Sequence, residues 1–153
     1  MKAEYLNPFL SGTVNVLKTM ASVTPVPGKP FVKKDKLSKG DISGVIGLTG
    51  AKQGSVVVSF SAGCALRVVS AMLMEEYTEL NDDVRDAVGE ITNMISGDAR
   101  KHLAEAGLKF EAGIPTVIAG KGHEISHSSD GPCIVIPFKC DGLEFFVEAS
   151  FDS

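Results

Sequence analysis

The stretch from Asp82 to Gly107, DDVRDAVGEITNMISGDARKHLAEAG, decides how the rest of the chain is read. Val84, Val88, Ile91, Ile95, Ala99 and Ala106 recur at steps of three and four or their sum, so at about 100° per residue they line one face of a helix. That face is expected to lie on a core. Asn81 or Asp82 is placed to cap the N-terminus, and Asp83 and Asp86 suit its positive end. Arg100, Lys101 and His102 suit the negative end, ahead of a stop at Gly107.

On the same wheel Asp86, Glu90, Asn93 and Gly97 gather opposite the apolar stripe, with Glu90 and Asn93 three residues apart and nearly aligned. Asparagine is a poor helix former, because its amide competes for backbone hydrogen bonds. Gly89 and Gly97 each cost about 1 kcal/mol relative to alanine in a helix interior. A helix that accepts all three beside a carboxylate suggests a bare face kept for close approach by another molecule. The alternative from composition is a solvated face with two helix-packing glycines.

The run Asp86-Ala87-Val88-Gly89-Glu90-Ile91-Thr92-Asn93-Met94-Ile95-Ser96-Gly97 resembles the signature helix of the chemotaxis phosphatases of the CheX, CheC and FliY family, whose active motif is Glu-x-x-Asn. The likeness extends to Asn7-Pro8-Phe9 opening a first helix and Thr19-Met20 closing it. It continues in the strands Gly44-Val45-Ile46-Gly47-Leu48 and Ile114-Pro115-Thr116-Val117, in the manner of the single-motif CheX branch.

Composition sets bounds around that stretch. At 153 residues and 44% hydrophobic, the chain can bury one good core and is too short for two, so a single domain over residues 1–153 is expected. Fifteen basic against 19 acidic residues give −4, and no block of Lys or Arg exceeds the short cluster Lys33, Lys34 and Lys36, which argues against nucleic acid as a partner. No apolar run has the length of a membrane span, and Met1 to Pro8 lacks the uninterrupted apolar region of a secretory signal. A cytoplasmic location is expected. Cys64, Cys133 and Cys140 are odd in number and contain no Cys-x-x-Cys pair, so they read as reduced thiols, neither a disulfide framework nor a metal site. Cys64 lies in a first helical turn where a thiol can become reactive, though a packed thiol is the simpler reading.

Along the chain, Asn7 and Pro8 suit an N-cap and first turn, with helical spacing to about Ala21. The proline-rich Val23 to Pro30 breaks that helix. Extended segments are predicted at Phe31 to Lys36, Ile42 to Thr49 and Ser55 to Phe60, forming an antiparallel meander. A second helix is predicted from Ala62 to Glu76. After Gly107 come strands at Ile114 to Ala119, Cys133 to Lys139 and Leu143 to Phe151, the last two joined by the hairpin turn Asp141-Gly142. In the final strand Leu143, Phe145, Val147, Ala149 and Phe151 face one way, and Glu144, Glu148 and Ser150 the other. The expected fold is α+β: a mainly antiparallel six-stranded sheet with three principal helices, in which helix plus three strands occurs twice about a pseudo-two-fold. Gly12-Thr13-Val14-Asn15 would then occupy the place of a second Glu-x-x-Asn and lacks the glutamate, which argues for one working site per chain.

His123-Glu124-Ile125-Ser126-His127 matches His-Glu-x-x-His, the zinc protease pattern that needs both histidines on one helix. Gly120-Lys121-Gly122 before it and Ser128 to Pro132 after it predict a loop, and no downstream helix offers a third ligand, so no zinc is expected. His102 is read as a partly buried or helix-terminal histidine. No phosphate loop, dinucleotide fingerprint or nucleophile elbow is present, and Gly44, Gly47 and Gly50 read as aids to twist or close backbone approach.

The resemblance implies a protein aspartyl-phosphate phosphatase acting on a response-regulator receiver of the CheY kind. Asn93 would position the attacking water and Glu90 would pair with the receiver lysine. Asp86, Gly89 and Gly97 complete the expected partner-binding face. Mg²⁺ would belong to the receiver, with no cofactor of the chain's own. A homodimer is expected both from the resemblance and from long strands whose edges need covering. The other reading is a non-catalytic module that binds a receiver or another chemotaxis or motor component through the same face.

Overall fold

The computed structural model describes residues 3–153. In chain order the elements are α1 (Ala3–Ala21), β1 (Val26–Pro27), β2 (Phe31–Val32), β3 (Ile42–Gly50), β4 (Gly54–Phe60), α2 (Ala62–Leu73), α3 (Asp82–Glu105), β5 (Phe110–Ala112), β6 (Thr116–Ala119), β7 (Cys133–Cys140) and β8 (Leu143–Phe151). Among the described residues eight strands form one antiparallel sheet in the order β1-β7-β8-β4-β3-β5, with β2 also on β7 and β6 also on β3. The α+β architecture is as expected. The strand count is eight where six were expected, because the two- and three-residue β1 and β5 are too short to show alternation.

The topology carries the pseudo-two-fold: β4 pairs with β8 at the centre, β3 and β7 lie outside them, and β6 and β2 lie outside those. One prediction is corrected here. The first three strands do not form a meander, since β2 pairs with β7 (Phe31↔Val135), while β6 of the second half pairs with β3 (Val117↔Gly44). Each half lends its first strand to the other. β2 also ends at Val32, not Lys36, and β6 begins at Thr116, leaving Ile114 exposed.

Helix α1 starts four residues before the predicted Asn7, with Pro8 inside it. The hydrogen bond that Pro8 forfeits is the one to Glu4, at the exposed start of the helix. In exchange Tyr5 is buried, its ring 5.2 Å from that of Phe151. Helix α2 is capped by Ser61 and ends at Leu73, three residues short of prediction, where Met74 takes a left-handed conformation (φ 55°). Asp141 (φ 52°) and Gly142 (φ 79°) make the predicted tight turn.

All three helices contribute to one core with the sheet, in which Phe145 stacks on Phe60 and on Phe138 (ring centres 5.2 and 4.9 Å). Cys64 is buried there, and burial, followed by the nearby Cys140 and Asp141, pushes its thiol up to about 12, so it is a packed thiol. The opposite face of the sheet is covered too. Every residue of β4 is buried, including Ser55, Val57 and Ser59 on that second face.

Helix α3 lies close on β3 because Gly44 has no side chain: a Cβ there would overlap the Thr92 hydroxyl. Gly44→Ala is therefore expected to lower stability by about 2 kcal/mol, through overpacking two residues from Glu90 and one from Asn93. Gly47, which has open space where a Cβ would stand, is the control. Urea denaturation should show a lower midpoint for Gly44→Ala and an unchanged or higher one for Gly47→Ala.

Candidate active site on helix α3

Asn81 caps α3, its side chain accepting from the Val84 N–H at 3.0 Å. At the other end the N–H groups of Gly107 (φ 85°) and Leu108 reach the carbonyls of Ala104 and Leu103, the closing turn predicted for that glycine. Val84, Val88, Ile91, Ile95 and Ala99 are fully buried, as their spacing predicts. Ala106 is exposed beyond the last turn, and Leu103 is the buried residue there. Burying Ile91 and Ile95 alone contributes about 2 kcal/mol each, enough to anchor the axis against its two glycines.

Glu90 and Asn93 project from this anchored helix into solvent, one turn apart. The side-chain hydrogen bonds on α3 and its cap use Asn81, Asp83 with Tyr77, Thr92, Ser96 with Arg100, and His102 with the Asp98 carbonyl; among the described residues the side chains of Glu90 and Asn93 take part in none. Both are therefore free to meet a partner without first breaking a bond. Asp86 is exposed one turn before Glu90. The two glycines differ from one another. Gly89 is buried, and a Cβ on it would stand 3.2 Å from Val117 of β6, so it serves helix-to-sheet packing. Gly97 is half-buried, and a Cβ on it would stand 3.7 Å from the Arg100 guanidinium, whose Nε donates to Ser96. His102 is exposed near the helix end, its Nδ1 2.9 Å from the Asp98 carbonyl oxygen, a helix-terminal histidine as predicted.

Beside Glu90 a groove of about 540 Å³ runs between α2 and α3, walled by Met72, Leu73, Tyr77 and Ala87 and rimmed by Glu75, Asp83 and Asp86. The wall from α2 escaped the sequence analysis, because nothing local says that the end of α2 abuts the start of α3. Met74 beyond it is 92% exposed. Reduced hydration and the Glu75 and Asp83 carboxylates hold the Tyr77 phenol above its ordinary value, and its hydroxyl donates to both. The surroundings are acidic and apolar, suited to a partner that presents a cation near an apolar ridge.

The place of a second motif is closed. Gly12 is buried against α3, and a Cβ there would stand 3.3 Å from the Ile95 carbonyl oxygen and 3.2 Å from the Asp98 carboxylate. A glutamate at Gly12 would push the helices apart and face a like charge. Asn15 is exposed without one.

The His-Glu-x-x-His segment is a loop, as predicted, with a bridge from Glu124 to Leu37. Its histidines part company: His123 Nε2 lies 2.7 Å from Ser43 Oγ, and His127 Nδ1 lies 2.6 Å from Ser55 Oγ. The expectation that no third ligand stands near is corrected. Cys133 Sγ and Glu148 Oε1 lie 3.3 and 3.0 Å from His127 Nε2, brought by strands and not by a helix. Glu148 is fully buried and bound to Lys33 Nζ at 2.9 Å. Burial alone would raise its pKa, but hydrogen bonds from His127 and Lys33 hold it below the usual carboxylate range. Burial, then the Glu148 carboxylate, pushes the Cys133 thiol up to about 12.

The family described as chemotaxis phosphatase CheX matches residues 42–139. The CheY-P phosphatase CheX of Thermotoga maritima is 31% identical over 153 residues, covering 99% of this chain and 94% of its own. The crystal structure of chemotaxis protein CheX from Vibrio vulnificus superposes with a TM-score of 0.91 at 46% identity, covering 98% of this chain and all of that one. The CheX of the Borrelia burgdorferi CheX–CheY–BeF3–Mg²⁺ complex superposes with a TM-score of 0.83 at 29% identity, over 97% and 98% of the two chains. With the family matched from β3 through α3 into β7, and a relative matched along nearly its whole length, the chain belongs to the CheX family of chemotaxis phosphatases.

Proposed function

We propose that this chain, acting as one domain in the cytoplasm, accelerates hydrolysis of the aspartyl phosphate on a CheY-like receiver, with Asn93 positioning the attacking water and Glu90 pairing with the receiver's active-site lysine. The observation that carries this reading is the solvent-facing pair Glu90 and Asn93, one turn apart and with side chains unbonded among the described residues, on a helix fixed by a buried face. The Thermotoga relative, described as a CheY-P phosphatase, supports the substrate class. The Borrelia complex, which contains CheY, BeF3 and Mg²⁺, supports a receiver partner that brings the magnesium.

The chemistry asks little of the chain. A receiver already holds its phosphoryl group and Mg²⁺, so acceleration requires a water held in line with the scissile bond. An amide both donates and accepts, so Asn93 can hold a water by one group and orient it by the other. Glu90 supplies a charge-assisted bond that fixes the register of α3 on the receiver. Loading a receiver with a small phosphodonor and following phosphate release tests the activity. Release no faster in the presence of the chain, despite measurable binding, would favour the passive recognition module.

Glu90→Ala is expected to weaken binding to a beryllofluoride-loaded receiver by about 1 to 3 kcal/mol and to make the remainder less sensitive to salt. Titrations at low and high ionic strength measure both. We also propose a homodimer. The long strands are all paired on both sides, so the edge argument rests on the short outer strands, where Val26 and Val32 are 64% and 51% exposed. Light scattering should give twice the chain mass of 16.1 kDa, and a value of one chain mass at micromolar concentration would contradict it.

A further inference from the structure

We propose that His127 Nε2, Cys133 Sγ and Glu148 Oε1 form a three-ligand site for a zinc-class divalent cation, on the face of the sheet turned away from Glu90 and Asn93. Phe145, Val147 and Ala149 of β8 belong to the core beneath the helices, so Glu148, which alternates with them, faces the other way.

The geometry is that of a ligand triangle. Zinc sits about 2.0 to 2.1 Å from histidine nitrogen, about 2.3 Å from thiolate and about 2.0 to 2.2 Å from carboxylate oxygen, which at tetrahedral angles separates the ligand atoms by about 3.3 to 3.6 Å. Here Nε2 to Oε1 is 3.0 Å, Nε2 to Sγ 3.3 Å and Sγ to Oε1 3.4 Å. Widening the triangle by about 0.1 to 0.5 Å on each side, most between Nε2 and Oε1, would admit the ion. One nitrogen, one sulfur and one oxygen donor favour zinc over the harder magnesium or calcium.

The outer contacts suit the same purpose. Ser55 Oγ, 2.6 Å from His127 Nδ1, fixes the ring so that Nε2 points at the triangle. Lys33 Nζ lies nearer Glu148 Oε2 (2.9 Å) than Oε1 (3.1 Å), so it can keep the first oxygen while the second turns to the metal. An opening of about 350 Å³ lined by Lys33, Ile125, His127 and Cys133 gives access and leaves room for a fourth ligand such as water. Binding releases the Cys133 thiol proton to solvent and, with His127 neutral, moves its ring proton from Nε2 to Nδ1, where Ser55 Oγ accepts it. The ion, thiolate, carboxylate and Lys33 then sum to one positive charge, which an anionic fourth ligand in the opening can balance. Because its ligands come from the loop after β6, from β7 and from β8, the ion would tie that loop to the sheet.

The test uses the full chain, stripped with a chelator and titrated with Co²⁺ as the spectroscopic probe and then with Zn²⁺ as competitor. One equivalent of Co²⁺ is expected to give a thiolate-to-cobalt charge-transfer band and the intense visible bands of a tetrahedral site, both removed by Zn²⁺. Cys133→Ser should lose the charge-transfer band, and His127→Gln should weaken Co²⁺ binding on the order of 10²-fold. His123→Gln should leave both unchanged. Circular dichroism of the metal-free variants checks their folding, and where one variant fails to fold the other decides. No saturable one-equivalent band in the wild type would overturn the proposal. So would a band that survives in folded Cys133→Ser, which would place the thiolate at Cys64 or Cys140, or one lost in His123→Gln. Phosphate release from a receiver does not enter these readouts, so this inference stands or falls apart from the phosphatase reading.

Discussion

Lys33→Met is expected to lower the unfolding free energy by about 3 kcal/mol, the largest stability effect anticipated for any change of a charged residue in this chain. Lys33 reaches Glu148 with its side chain 2% exposed and the carboxylate fully buried. Methionine fills much of the same volume but leaves a buried anion with only the hydrogen bonds from His127 and Cys133. The cost is placed at the lower end of the range for a broken buried pair, because the hydrogen bonds from His127 and Cys133 to the carboxylate remain. Replacing both partners, in Lys33→Met with Glu148→Gln, should recover much of the loss, since no unpaired charge remains. The neighbouring Lys34 is exposed, and Lys34→Met should stay within about 0.5 kcal/mol of the parent. Urea unfolding of the four proteins measures all of this. A Lys33→Met variant as stable as the Lys34→Met control would show that the pair is not buried as described.

Asn93→Ala is expected to reduce receiver dephosphorylation on the order of 10²-fold while leaving affinity for a beryllofluoride-loaded receiver within about a factor of two. The separation follows from what the amide is asked to do. A water held in line matters at the transition state and adds little to ground-state binding, so its loss falls on turnover. Asn93 is exposed and bonded to nothing among the described residues, so its removal leaves no orphaned group and disturbs no packing. Alanine also raises helix propensity there, which separates loss of activity from loss of fold. Asn93→Asp keeps the shape but sets a carboxylate against the receiver's phosphoryl group, and should fare no better than alanine. Steady-state turnover beside equilibrium titration resolves the two quantities.

Much of this arrangement was legible in the sequence, for reasons that differ by element. Helix α3 carries cap, stripe and stop in one continuous run, so its ends and buried face emerged nearly intact. The polar pair on its open face was likewise fixed by spacing. The exchange of β2 and β6 between halves was not legible, because pairing partners at long range leave no mark in strands of two to four residues. Pro8 pointed to a helix start at Asn7, and the burial of Tyr5 overrode it. Glu148 was read as belonging to the polar side of β8. That side is covered by the loop after β6, and a carboxylate there is tolerated because Lys33, from the other half of the chain, reaches it. Gly89 shows the same limit: the wheel could not say that β6 would press against it.

The central claim is that the open face of α3 does chemistry on a bound receiver and is not merely a recognition surface. Single-turnover loss of phosphate from a labelled receiver, with the chain in saturating excess, tests it most directly, because saturation removes differences in affinity. The wild type is expected to accelerate the loss well beyond the receiver's own rate, and Asn93→Ala, at equal saturation and with its helix intact by circular dichroism, to return it nearly to that rate. A saturated Asn93→Ala complex that loses phosphate as fast as the wild type would contradict the account.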